Sequence, residues 1–261
     1  MATTASDTLH AARCTGHAPV QRPGGHCASC RIRHLALCAA LPQEALAPMA
    51  AVSSELHLAP GSTLVSEGDP RTAVYTVTAG ALRLVRLLPD GRRRVADFRM
   101  PGDFIGLSNA PRHRHDIEAV TESAVCRVRV EDMAALRARQ PALDRRLLSM
   151  AMQELDHARD DALCLSRLDP VERLAAFLVA LAGKRRRWNA DPRVIVLPMG
   201  RSDIADHLGL TVETVSRSFS RLRRDGAIAL PDAQTVEVLD RPALDALAAG
   251  VEPARCGPPR P

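Results

Sequence analysis

Residues 200–217 read Gly200-Arg201-Ser202-Asp203-Ile204-Ala205-Asp206-His207-Leu208-Gly209-Leu210-Thr211-Val212-Glu213-Thr214-Val215-Ser216-Arg217. Ser202 is placed to cap a helix over Asp203–Leu208, and Gly209 to stop it. Thr211 then caps a second helix, from Val212 to about Asp225, which Gly226 ends. Helix, short glycine-containing turn, helix is the pattern of a DNA-binding helix-turn-helix. In the second helix Val212, Val215, Phe219 and Leu222 recur at helical spacing and predict its buried stripe. The opposite face is thereby fixed as Glu213, Ser216, Arg217, Ser220, Arg221 and Arg224.

That face suits duplex DNA. Glu213, Ser216 and Arg217 fall in the first two turns, the part of a recognition helix that meets base edges in the major groove. Arginine pairs bidentately with guanine, glutamate accepts from cytosine, and Ser216 has reach to adenine or thymine. Arg221, Arg223 and Arg224 lie further along, where phosphate contacts set the register. The competing reading makes Glu213 and Arg217 a surface i,i+4 ion pair of a few tenths of a kcal/mol. The caps, the turn and the runs Ile228–Leu230 and Thr235–Leu239, which predict a small wing, weigh for DNA.

Composition agrees. The net charge is +5, and Lys184 is the only lysine, so the positive charge is almost entirely arginine, the cation suited to bidentate phosphate and guanine contacts. Aromatic residues make up 2%, too few to stack the bases of a single strand. No run of residues has the length and apolarity of a membrane helix and residues 1–13 lack a signal sequence, so a cytoplasmic protein is expected. No dinucleotide fingerprint, P-loop or Ser-His-Asp context appears, so an enzyme is not predicted.

Working back towards the N-terminus, Asp169 and Pro170 open a helix that runs to Gly183. From Glu131 to about Leu165 the pattern is helical, and Ala151, Leu155, Ala158, Ala162 and Leu165 follow a coiled-coil spacing. This stripe predicts a parallel helix pair across a homodimer axis, against the alternative of packing on its own barrel. Before it, short runs at 63–65, 74–77, 81–87, 94–98 and 124–130 alternate between turn signals and predict a barrel or jelly roll. The fold class is α+β. It comprises a cysteine-rich leader (1–52), a β-roll sensor domain (53–130), a dimerisation helix (131–166), a winged helix-turn-helix domain (167–248) and a flexible tail (249–261).

Seven cysteines without a secretory signal read as metal ligands or redox groups before disulfides. Cys27, Cys30 and Cys38 follow a Cys-x2-Cys-x7-Cys spacing. Zinc would need a fourth ligand such as His26 or His34, and an iron–sulfur cluster a distant cysteine. Sequence chemistry leaves both open. Cys126 alone reads as a small buried apolar residue. Cys14, Cys164 and Cys256 read as bystanders, with Cys14 a weak alternate ligand.

Residues 200–217, with their Glu-x-x-Ser-Arg pattern, resemble the helix-turn-helix of the Crp/Fnr superfamily of transcription regulators, in its Fnr branch. The likeness extends over the roll, the long helix and the winged helix. It implies a cyclic-nucleotide-binding-like roll, a homodimer, contact with RNA polymerase through the hairpin at Gly91, and recognition of a palindromic promoter site with TTGAT-type half-sites. The leader cysteines resemble those of FnrL- and FnrN-like oxygen sensors. This implies a [4Fe-4S] cluster on Cys27, Cys30, Cys38 and Cys126, lost to oxygen with disengagement of the helices around Leu155. A zinc-stabilised or cluster-free constitutive regulator is the alternative. Gly102–Arg114 lacks the Glu and Arg-x-Ala that grip a cyclic nucleotide in relatives, so none is expected. His113 and His115, and the arginines at 92–94, are expected to be solvated.

Overall fold

The computed structural model describes residues 27, 30–108 and 110–251. Residues 31–41 form turns and a short 3-10 helix (Leu37–Ala40), and a second such turn (Gln43–Ala45) leads into α1 (Leu46–Val52). Eight strands follow: β1 (Ser53–Leu58), β2 (Thr63–Val65), β3 (Ala73–Ala79), β4 (Leu82–Leu87), β5 (Arg93–Arg99), β6 (Phe104–Ile105), β7 (Asp116–Ala119) and β8 (Ser123–Arg129). They form two antiparallel four-stranded sheets, β1-β8-β3-β6 and β2-β7-β4-β5, which is the expected roll. The sequence reading missed β1, β6 and β7. β6 is two residues long, and β7 is four residues with two carboxylates, Glu118 met by Arg83 and Arg93 and Asp116 by the Glu67 amide.

The single helix predicted from Glu131 is two helices, α2 (Val130–Arg139) and α3 (Pro141–Arg167). Pro141 disfavours helical backbone at the residue before it, and Gln140 sits at φ −133°, ψ 81°. α4 (Pro170–Arg187) opens as predicted on Asp169, with Glu172 completing a reciprocal capping box. It does not stop at Gly183. That glycine has open space around it, and the helix runs on to Arg187, where Asn189 at φ 54° turns the chain.

The C-terminal domain comprises β9 (Val194–Val196), α5 (Arg201–Leu208), α6 (Val212–Arg224), β10 (Ile228–Ala229), β11 (Thr235–Val238) and α7 (Arg241–Ala248). The wing is a three-stranded sheet, β10-β11-β9, whose strand β9 was not anticipated. One core runs from Val85, Val95 and Phe98 of the roll through Leu174, Leu178 and Leu181 of α4 to Ile204, Phe219 and Leu222. A second core joins Leu37, Leu41 and Met49 to Leu136 and Leu143. The cysteine-bearing segment is thus seated on α2 and α3, and the winged helix on the roll. Among the described residues no helix is long and apolar enough to cross a membrane.

Candidate nucleic-acid interface and cysteine cluster

α6 is built as its sequence dictates. The Thr211 hydroxyl accepts from the Thr214 amide at 3.2 Å, and Gly209 ends α5 in the left-handed region at φ 66°. Ser202 is not a cap. α5 begins two residues earlier, at Arg201, with Gly200 in the capping position, and Ser202 is an exposed residue of its first turn. Val215, Ser218, Phe219 and Leu222 are the buried residues of α6, so the predicted stripe shifts by one member. Val212, at the helix start, overhangs the core and is exposed, while Ser218 is taken inside.

The face opposite that stripe is open at every predicted position: Glu213, Ser216, Arg217, Ser220, Arg221 and Arg224 are all exposed. The Ser216 hydroxyl donates to the Val212 carbonyl at 2.9 Å, leaving its oxygen lone pairs to accept. Glu213 is held below the usual carboxylate range by amide and hydroxyl donors at the helix start, Thr211 among them, with a smaller contribution from Arg217. Arg221 pairs loosely with Asp225 at 3.6 Å.

On α3, Leu155 is 45% exposed, and Leu148, Met152 and Leu163 are 65%, 53% and 62% exposed. Ala158 and Ala162 are also exposed, whereas Ala151 and Leu165 are half-buried. The open apolar stripe therefore includes Leu155, Ala158 and Ala162 from the predicted set, together with Leu148, Met152 and Leu163, which the heptad spacing did not pick out. A row of large apolar side chains on the outside of one helix marks a contact surface.

Cys27 is buried, and Cys30, Cys38 and Cys126 are half-buried. Cys126 stands on β8 opposite Glu55 and Thr76. The Ser53 hydroxyl, where α1 passes into β1, lies 3.7 Å from the Cys27 sulfur and also hydrogen-bonds Cys126. Burial pushes the Cys126 thiol up to about 12, with the charges of Cys27, Cys38 and Cys30 adding to it. Burial, then Cys30 and Cys27, push Cys38 up to about 11. Cys27 is raised by burial too, and Arg33 works against the rise at both leader thiols.

The fold thus brings Cys126 to the three leader cysteines. Cys164 on α3 is raised by burial and by Asp161 and Asp160, apart from that group. Cys14, Cys256 and His26 lie outside the described residues. Among the described residues no three His, Cys, Asp or Glu side chains are gathered tightly enough for one metal ion. Four thiols are a donor set of the chemical type that iron–sulfur clusters take. The segment that carries these cysteines rests on the helices: Leu37 is buried in the core with Leu143, and Arg146 of α3 donates to the Leu35 carbonyl at 3.2 Å.

In and beside the stretch 102–114 several polar groups are engaged with the protein. Asp103 pairs with Lys184 at 2.8 Å, Arg112 donates to the Gly68 carbonyl, and Arg71 donates to that of Gly106. His113 and His115 are half-buried, with burial pushing both below the ordinary histidine value, rather than solvated. The hairpin arginines also divide. Arg92 is exposed and pairs with Asp90, whereas Arg93 is drawn into a partly buried ion network with Asp203, Asp206 and Glu118. No sequence signal pointed to that network.

Residues 172–247 match the family model described as the Crp-like helix-turn-helix domain, and residues 55–140 match the cyclic nucleotide-binding domain. The chain is 39% identical to the nitrogen fixation regulation protein FixK of Bradyrhizobium diazoefficiens, over 87% of this chain and 96% of that protein. It is 35% identical to the transcriptional activator protein FnrL of Cereibacter sphaeroides, over 82% and 88% respectively. The solved structure of FixK2 from Bradyrhizobium japonicum superposes with a TM-score of 0.70 at 35% identity, covering 75% of this chain and 97% of that one. These relatives are regulators, not enzymes. Both halves of the chain and its full-length relatives agree: it belongs to the Crp/Fnr family of transcription regulators.

Proposed function

We propose that the protein is an oxygen-responsive, homodimeric, cytoplasmic regulator whose binding to TTGAT-type palindromes depends on a [4Fe-4S] cluster held by Cys27, Cys30, Cys38 and Cys126. The observation that carries this reading is the convergence of Cys126, a barrel residue, on the three leader thiols around Ser53. Similarity to FnrL, a transcriptional activator, supports it. When bound, the cluster supplies a group that oxygen attacks.

The chain's own residues do the rest. Cys27, Cys38 and Cys126, whose thiol protons burial retains, would give up those protons on holding a cluster, so ligation would be linked to proton release. Through Cys30 and Cys38, residues 30–38, which rest on α3, would favour one placement of the α3 stripe by the cluster's differential affinity for that placement. Leu148, Met152, Leu155, Ala158 and Ala162 meet their counterparts across the dimer axis. The two copies of Arg217 then lie about one helical turn of DNA apart. Glu213, Ser216 and Arg217 read bases, Arg221 and Arg224 hold phosphates, and exposed Ser202 and Thr211 lie beside the same groove. The roll's role in this reading involves no cyclic nucleotide; the missing Glu and Arg-x-Ala of 102–114 support that, as do the bonds of Arg71 and Arg112 to backbone carbonyls. RNA polymerase is the remaining partner, and the exposed tip Asp90–Arg92 is the surface offered to it.

The test is an anaerobic visible spectrum with iron and sulfide counts, repeated after air and on Cys126→Ala. Loss of colour and of stoichiometric iron in the variant is expected. A colourless wild-type protein containing zinc would establish the zinc-stabilised alternative, and a full iron and sulfide complement in Cys126→Ala would remove that residue from the ligand set.

A further inference from the structure

α5 has two working faces. Ile204, Ala205 and Leu208 are buried in the core that includes α4 and α6, while Asp203, Asp206 and His207 meet the sensor sheet. The Nη1 group of Arg83 on β4 donates to both carboxylate oxygens of Asp203, at 2.8 and 3.0 Å. Nη1 of Arg93 on β5 reaches Asp203 at 3.2 Å and Asp206 at 3.0 Å. Glu118 on β7 bonds both arginines from behind, at 2.7 and 3.2 Å. Beside this network, the His207 ring packs edge-on to Phe98, and its Nδ1 lies 3.3 Å from the Val95 carbonyl.

The Asp203 side chain is only 11% exposed, so the arrangement carries a desolvation cost that an apolar contact would avoid. Charged forks add direction, because each carboxylate is satisfied in one orientation of α5 against the sheet. α5 in turn carries α6, with Ile204, Ala205, Leu208, Val215 and Phe219 in one core. A rotation of α5 on the sheet is therefore a rotation of the DNA-reading helix relative to α3.

We propose that Arg83, Arg93 and Glu118 form a socket that reads Asp203 and Asp206, fixes the angle of the recognition helix to the dimer axis, and so selects the spacing between DNA half-sites. They are positioning residues, acting through α5 and not on the bases. The inference rests on the homodimeric reading above.

The full-length protein, prepared without oxygen, is titrated with duplexes carrying two TTGAT-type half-sites in inverted repeat, with the spacer lengthened or shortened by one base pair. Wild type is expected to prefer one spacing by about fivefold or more. Arg93→Gln and Asp206→Asn are expected to bring that ratio close to one while melting temperature is retained. Arg83 remains in both variants to hold Asp203 and Glu118, and Asp206→Asn keeps the side chain's shape should Arg93→Gln fold poorly. A uniform loss of affinity at every spacing, or an unchanged spacing preference, would overturn the proposal. A wild-type dimer indifferent to spacing would overturn it as well, and a wild type that stays monomeric on the cognate duplex would instead remove the dimeric reading beneath it.

Discussion

Replacing Arg217 by alanine separates base reading from every other role of α6. The side chain is exposed, and alanine is at least as good a helix former, so the fold is expected to melt unchanged. A bidentate arginine–guanine contact is worth about 1–3 kcal/mol. A palindrome engages two copies, so the dimer complex loses about 2–6 kcal/mol if the half-sites contribute independently. That is roughly 30-fold at the low end and about twenty-thousandfold at the high end. Arg221→Ala, one turn on, is the internal control. Its 3.6 Å pair with Asp225 is more than half exposed, so its removal costs the fold under about 1 kcal/mol. On DNA, losing one phosphate contact per protomer lowers the slope of log affinity against log salt by about 0.9 each, or about two for the dimer. Fluorescence anisotropy on cognate and scrambled duplexes, at four salt concentrations, reads both quantities. The assignment fails if Arg217→Ala weakens cognate and scrambled binding equally, or if the two variants change the salt slope alike.

Thr211→Ala removes the oxygen that accepts from the Thr214 amide and is expected to cost about 1 kcal/mol in urea unfolding. Lys184→Met leaves the largely buried Asp103 without its 2.8 Å partner and is expected to cost about 3 kcal/mol, the low end for a broken buried pair, because the Met100 amide still donates to it. Burial alone would raise Asp103, yet Lys184 holds it below the ordinary carboxylate value, so this stability is present above that value and lost as pH falls through the depressed one. In the variant burial is no longer offset by Lys184, so the deficit relative to wild type is expected to be largest near pH 7 and to shrink on acidification as Asp103 takes up its proton in both proteins, as urea midpoints between about pH 3 and 7 will show. Leu155→Asp places like charges across the α3 seam, and sedimentation is expected to show a monomer; an intact dimer would move the axis away from this face.

What was legible in the sequence was local. The helix-turn-helix is specified by Thr211, Gly209 and an apolar period that all fall within one short stretch, so reading it required no distant partner. Its errors were those of one or two residues at a boundary: Gly200 displaced Ser202 as the cap, and Val212 hung beyond the edge of the core. Strands β2, β3, β4, β5 and β8 show alternation that survives in the chain. β7 alternates as well, but over only four residues and with two carboxylates, Asp116 and Glu118, of types depleted in strands; Glu118 is satisfied there by Arg83 and Arg93. The break at Pro141 was equally readable and was overridden by the continuity of the surrounding apolar pattern. Cys126 illustrates the opposite limit. Its side chain looks like ordinary strand filling, and nothing near it in the chain announces that the roll will bring it to Ser53 and Cys27.

The proposed coupling between the cysteines and DNA has a continuous physical path. The segment bearing Cys30 and Cys38 holds α3 through Leu37 and through Arg146 on the Leu35 carbonyl. Further along α3, Glu154 pairs with Arg99, a nearly buried arginine at the end of β5 that Asp97 and Glu154 keep charged despite its burial. The same strand holds α5 through Arg93 and through the Val95 carbonyl. β5 is therefore the one strand that touches both the dimer helix and the DNA-reading domain through charged contacts. No single link has to be strong. A coupling of about 1–3 kcal/mol is a typical allosteric effect, and it requires only that α3 have two placements of which the cluster-bearing segment favours one. Because the contacts along β5 are directional ion pairs, a shift of α3 is passed on as a change in the angle of α5 rather than absorbed by slippage of apolar side chains. The charges at this boundary, costly as contributors to stability, are suited to that use.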